Sequence, residues 1–214
     1  YPLMRVQQYS SLASLAFRTG HAYWGWRFTG LALHYVQDLT QPYHASVSPG
    51  NSAARLIGIN ALAMAGLPKW KDEMIVLLSN RHLALENYES ALIRGAAKAR
   101  KPGLLGAVLH DTAADTRYPA WSDRYVRDVV SKEAYDAGAA TDRTIVEALP
   151  ARYVAEPGFD FGVHSAQIDL AAELAASDAD RRARLDTTIA TLLGHFGTHS
   201  RALVQNMLTG GVRK

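Results

Sequence analysis

Apolar residues recur at three- and four-residue spacing over residues 3–18 (LMRVQQYSSLASLAFR) and again over 21–39, with Gly20, a helix-stop residue, between them. That pattern predicts two helices. The segment 40–50 (TQPYHASVSPG) carries two prolines, a final glycine and several small polar residues, and reads as a loop that reverses the chain. Further helices are predicted over 52–65, over 71–99 with Asp72 as N-terminal cap, over 103–110, and over 121–149 with a break near Gly138. A region rich in turn residues, 150–163, separates these from apolar-periodic runs at about 164–177 and 179–208, the last ending before Gly210 and Gly211. Almost nothing alternates as a strand does, and no repeat or low-complexity tract interrupts the chain. The expectation is an all-α protein, a multi-helix single domain over residues 1–214.

Composition narrows the function classes. With 214 residues, 48% of them hydrophobic and 20% charged, the chain is long enough to bury a substantial core. The net charge of +3 is the margin of 23 basic over 20 acidic residues, too thin to mark a nucleic-acid binder. There are no cysteines, so any bound metal must be held by His, Asp, Glu or backbone groups. The longest apolar run, LIGINALAMAGLP at 56–68, is too short to span a bilayer.

Chemistry concentrates on two of the predicted helices. His34 and Asp38 are four residues apart, so they project from one helix face and can share a metal ion or simply form an ion pair. His82 and Glu86 repeat that spacing in NRHLALENYESAL, and His44 follows the first pair in the loop. These five residues are candidate ligands of the kinds zinc takes when thiolates are absent. Leu31, Leu33 and Val36 surround His34 in a helix nearly free of charge, which suggests a buried group in need of partners. The other histidines read as structural. His21 marks a helix start or the surface, and His110 and His164 are capping or hydrogen-bonded positions. His195 and His199, one turn apart in GHFGTHSRAL, are the helical pair that competes with His82 and Glu86 for the ligand role; no carboxylate accompanies them, and His82 is kept. The aromatic cluster YWGW at 23–26 reads as core packing rather than a lipid contact. Tyr43 and Tyr88 neighbour the ligands and are candidates to line a pocket.

The segment HYVQDLTQPYHAS resembles the HYxGDxxQPxHA segment of the bacterial zinc-dependent phospholipase C family, and HLALENYESAL is similar to a later segment of that family. The resemblance covers about sixty residues. It implies an all-helical domain with up to three zinc ions, in which His34 and Asp38 serve a pair of zincs and His44, His82 and Glu86 hold the remaining one. The activity implied is hydrolysis of a phosphodiester, most directly a phospholipid head group, with transient contact at a membrane surface, no specific nucleic acid as partner, and secretion or export to the periplasm.

The chain departs from the family pattern in two places. Only His21, and no Asp or Glu, precedes His34, so the upstream ligands and the general-base carboxylate of the family have no counterpart here. We therefore expect a chain lacking its N-terminal part, name no general base, and expect one or two zincs: a tight one at His44, His82 and Glu86 and a weak one beside His34 and Asp38. The interval from His44 to His82 is also long, as the predicted helix over 52–65 would explain. Two alternatives stay open. One is the single-strand nuclease branch of the same superfamily, although the chain has Glu86 and only a partial PGNS at 49–52 where that branch has a GGN-type loop and an H-x-x-x-D pair. The other is a non-catalytic helical protein that binds lipid or a partner and keeps a residual zinc. A di-iron bundle would need Glu-x-x-His pairs, and none occurs.

Overall fold

The computed structural model describes residues 1–100 and 103–210, which contain helices and turns and no strand. The helices are α1 (Pro2–Arg18), α2 (Ala22–Asp38), α3 (Pro42–Ala45), α4 (Ala53–Met64), α5 (Lys69–Ala99), α6 (Gly103–His110), α7 (Lys132–Ala148), α8 (Ala151–Val154), α9 (Phe161–His164), α10 (Leu170–Ala175) and α11 (Ala179–Gly210). The chain divides into two compact units, each assembled from separate stretches: Tyr1–Ala45, Leu104–Asp136 and Thr191–Lys214 in the first, Ser46–Gly103 and Ala137–Ala190 in the second.

The first unit begins with the α1/α2 hairpin. Gly20 adopts φ +79°, a left-handed conformation that closes the turn, and the His21 amide donates to the Ala16 carbonyl at 2.8 Å. Along α2 the buried positions are Gly25, Thr29, Ala32 and Val36, a seam of small residues at helical spacing. The approach to α1 is close enough that a Cβ on Gly25 would stand 2.5 Å from the Phe17 ring. Val6, Ala13, Leu39, Tyr125, Val126, Val130, Leu203 and Met207 complete this core.

In the second unit α5 is the central element, packed by α4, α8, α9 and α10. Asn80, Ala84, Leu85 and Tyr88 form its buried face. Asn80 ties α5 to the segment before α9: its Nδ2 donates to the Phe159 carbonyl at 2.7 Å, and its Oδ1 accepts from the Phe161 amide at 2.9 Å. The next residue, on the neighbouring face, is Arg81, which donates through Nε to the Val154 carbonyl and through Nη1 to both oxygens of Asp142. Tyr88 donates to Asp186 at 2.7 Å.

Several local expectations are corrected. Residues 40–50 are not wholly a loop, since Pro42–Ala45 forms a helical turn; proline suits the start of a helix, and the Gln41 side chain accepts from the Tyr43 amide at 2.7 Å. Asp72 does not cap α5, which starts earlier, at Lys69; it sits in the first turn, where a carboxylate still favours the helix dipole. The predicted helix over 121–149 begins later, and its irregularity is a π-helical turn at Val126–Ser131 rather than a break at Gly138. That wider turn keeps Tyr125, Val126 and Val130 buried together. Glycine in a helix interior typically costs about 1 kcal/mol relative to Ala, and burial of Thr141 and Asp142 one turn past Gly138 and of Ile145 two turns past carries the helix through it. The run at 164–177 is helical only over Leu170–Ala175 and in a short 3₁₀ turn, because Asp169 caps a new start by accepting from the Ala172 amide at 3.0 Å.

Candidate metal centre

Five candidate ligands come from the sequence, and the structure separates them. His44 on α3 and His82 and Glu86 on α5 each offer one ligand atom, and these atoms lie within 4.8 Å of one another. Ligands held at 2.0–2.1 Å by a tetrahedral zinc stand about 3.3 Å apart, so atoms up to 4.8 Å apart must draw together to share an ion. His82 and Glu86 already touch, with Nε2 to Oε1 at 2.9 Å, as their one-turn spacing requires. Their side chains are 24% and 43% exposed, which leaves room for water beside three protein ligands. Two imidazoles and one carboxylate suit zinc or a similar divalent transition metal, and no thiolate exists in the chain to compete.

His34 and Asp38 behave differently. Their Nε2 to Oδ2 distance is 3.5 Å and their side chains are 65% and 36% exposed, an i,i+4 surface pair with no third ligand-type group converging on it among the described residues. The expectation of a buried His34 is thereby corrected. The seam of α2 runs through Ala32 and Val36, and a residue two positions on from Ala32 lies about 200° around the helix, facing away from it. Surrounding apolar letters therefore said nothing about which side of the helix would be covered.

The electrostatics of α5 bear on Glu86. Burial, followed by the charge of Glu86 one turn away, pushes the Glu89 carboxyl up to about 7. The folded chain thus favours neutral Glu89, whereas an unfolded chain releases that proton near pH 4.3. Stability from this group is complete below about pH 4.3 and is lost as pH rises through 7, by roughly 3–4 kcal/mol. Metal-free protein denatured in urea at a series of pH values should show that decline, and Glu89→Gln should flatten it; an unchanged slope in the variant would assign the decline to other groups.

A groove of about 530 Å³ borders Glu86, and Asn87, Ser90, Arg94 and Ser165 supply its other polar groups. Arg94 donates to Ser90 at 2.6 Å, which directs a cation along the groove. Tyr88, expected near the pocket, is instead 2% exposed and bound to Asp186.

Elsewhere the histidines fall as follows. His21 precedes α2 with its ring against Thr19, His110 reaches back one turn to the Gly106 carbonyl, and His164 packs on Phe159. The YWGW cluster is corrected from core to surface: Tyr23, Trp24 and Trp26 are 67%, 53% and 46% exposed, because of the four only Gly25 falls on the seam with α1. His195 and His199 do have a carboxylate after all, Glu133 of α7, whose Oε2 is 3.4 Å and 2.9 Å from them. Nothing in the sequence linked a residue more than sixty positions away to that pair. No helix among the described residues is long and apolar enough to cross a membrane. No family model matches the chain, and neither does any curated protein or any solved structure.

Proposed function

We propose that the chain is a zinc-dependent hydrolase of phosphodiester bonds, acting as a phospholipase C on phospholipid head groups. The observation that carries this reading is the convergence of His44, His82 and Glu86. When bound, the metal supplies Lewis acidity that polarises a phosphoryl oxygen and lowers the pKa of water. His44 and His82 contribute neutral donors and Glu86 one negative charge, so the site keeps a net positive charge toward an anionic substrate. Arg94, on the same groove as Glu86, adds a fixed cation that orients the phosphate or its head group. The exposed Tyr23, Trp24 and Trp26 support transient contact with a lipid surface, where amphipathic aromatic rings settle. Such an enzyme acts outside the cytoplasm of the cell that makes it, in keeping with secretion or periplasmic export.

One observation favours a second reading. His34 and Asp38 form an exposed pair with no further ligand among the described residues, so a helical lipid- or partner-binding protein with a single residual zinc accounts for the same residues. Assay of the zinc-loaded chain on phospholipid vesicles and on a soluble phosphodiester analogue separates the two. The hydrolase reading predicts a phosphomonoester product whose formation chelation abolishes. Retained zinc with no turnover of any phosphodiester would favour the binding protein. Cleavage of single-stranded nucleic acid with every phospholipid spared would put the nuclease in its place.

A further inference from the structure

We propose that Glu133, His195 and His199 form a second divalent-metal site, sharing no ligand with His44, His82 and Glu86. The three side chains come from two elements. His195 and His199 project one turn apart from α11, and Glu133 lies in the first turn of α7, just after the π-helical turn at Val126–Ser131. A π turn of this kind is frequent beside functional groups.

Two of the three pairwise distances suit a metal, and the third, between the two histidines, closes only on ring rotation. Glu133 Oε2 is 2.9 Å from His199 Nε2 and 3.4 Å from His195 Nδ1, close to the roughly 3.3 Å that separates ligands around a tetrahedral zinc. The imidazole centroids are 6.5 Å apart, so the His195 ring must turn toward His199 for one ion to reach all three. His195, 23% exposed, has room to do so.

An outer set of hydrogen bonds is already in place. Tyr125 donates its hydroxyl to His199 Nδ1 at 3.0 Å, and Tyr118 donates to Glu133 Oε1 at 2.7 Å. With Nδ1 accepting, the proton of neutral His199 is on Nε2 and points at the carboxylate. A metal that takes the Nε2 lone pair requires the ring to place its proton elsewhere: Nδ1–H then donates to the Tyr125 oxygen, and Tyr125 turns its own proton away. Metal-binding histidines are commonly held this way through their second nitrogen.

A closed structural network would leave no polar atom over. Here His195 Nδ1 is buried and makes no well-formed hydrogen bond, its approach to Glu133 Oε2 being a long 3.4 Å, and a ligand on that nitrogen would satisfy it. Two nitrogens and one carboxylate select zinc, cobalt or nickel over calcium or magnesium. Ring rotation and proton movement oppose binding, so this site is weaker than the one at His44, His82 and Glu86.

The test uses the full chain and zinc alone, titrated against a chromophoric chelator. Parent protein should bind two zincs of unequal affinity. His82→Ala should bind one, His195→Ala should keep only the tighter, and the double variant none. Glu133→Gln repeats the test with a nearly isosteric change, and circular dichroism of each variant checks the fold. Should His195→Ala fail to fold, Glu133→Gln decides alone. Equal zinc content in parent, His195→Ala and Glu133→Gln would overturn the proposal and leave the cluster a structural network. A first site that binds nothing would show instead as His82→Ala matching the parent, with the loss in His195→Ala unchanged.

Discussion

Arg81→Ala is expected to destabilise the chain by about 3 kcal/mol, measured by urea denaturation at neutral pH. The guanidinium is 19% exposed and faces Asp142, whose side chain is 9% exposed, at 3.1–3.2 Å from both carboxylate oxygens. Nε meanwhile donates to the Val154 carbonyl at 2.9 Å. Truncation removes the counter-charge and a backbone partner together, whereas the Asp142 carboxylate stays in place. Its surroundings leave little room to adjust. Gly50, at φ +78°, lies so close that a Cβ there would stand 2.1 Å from Asp142 Oδ2, so the carboxylate is boxed in on that side. Arg81→Lys should recover only part of the loss, because an ammonium cannot span both oxygens and the carbonyl at once. A double change to Met at 81 and Leu at 142 should recover more than either single change, since charge removed in pairs leaves no desolvation penalty behind. A loss below about 1 kcal/mol for Arg81→Ala would show that the pair is solvated more fully than its burial indicates.

The residue that follows Arg81 gives the second large effect. His82→Ala should weaken zinc binding by 100-fold or more, on the order of 3 kcal/mol, because two ligands seldom hold the ion against competing water. The variant should keep its fold. His82 lies beside the buried face of α5 rather than on it, with a side chain 24% exposed, and its hydrogen bond to Glu86 is a one-turn pair worth a few tenths of a kcal/mol. Stability and metal affinity are therefore separable at adjacent positions: the Arg81 change acts on the fold, the His82 change on the ion. Loss of both properties in His82→Ala would mean that the histidine is structural.

The features of this chain legible in sequence share one physical basis, the 3.6-residue period. It exposes α1, α2, α5 and α11 because each carries a repeating apolar face, and it pairs His82 with Glu86 and His34 with Asp38 because four residues make about one turn. Side-chain caps and backbone geometry are less legible. Asp72 looks like a cap by residue type, but the first turn of α5 forms before it; the irregular turn of the 121–149 run follows the burial of Tyr125, Val126 and Val130, and the glycine at 138 is simply absorbed. Which face of a helix is covered depends on its neighbours, and so His34 reads as buried while the seam of α2 turns it outward. Convergence over long separations is invisible to periodicity. The approach of His44 to His82 and Glu86 could be anticipated only through resemblance to a known metal-binding pattern. Glu133 beside His195 and His199 belongs to no such pattern and had no signal at all.

His44, His82 and Glu86 are proposed to hold the chain's tightest zinc, and elemental analysis after exhaustive dialysis tests this most directly. Parent protein and His195→Ala should retain that zinc, and His82→Ala should lose it. A parent without zinc, or a tight zinc that persists in His82→Ala and disappears in His195→Ala, would contradict the assignment.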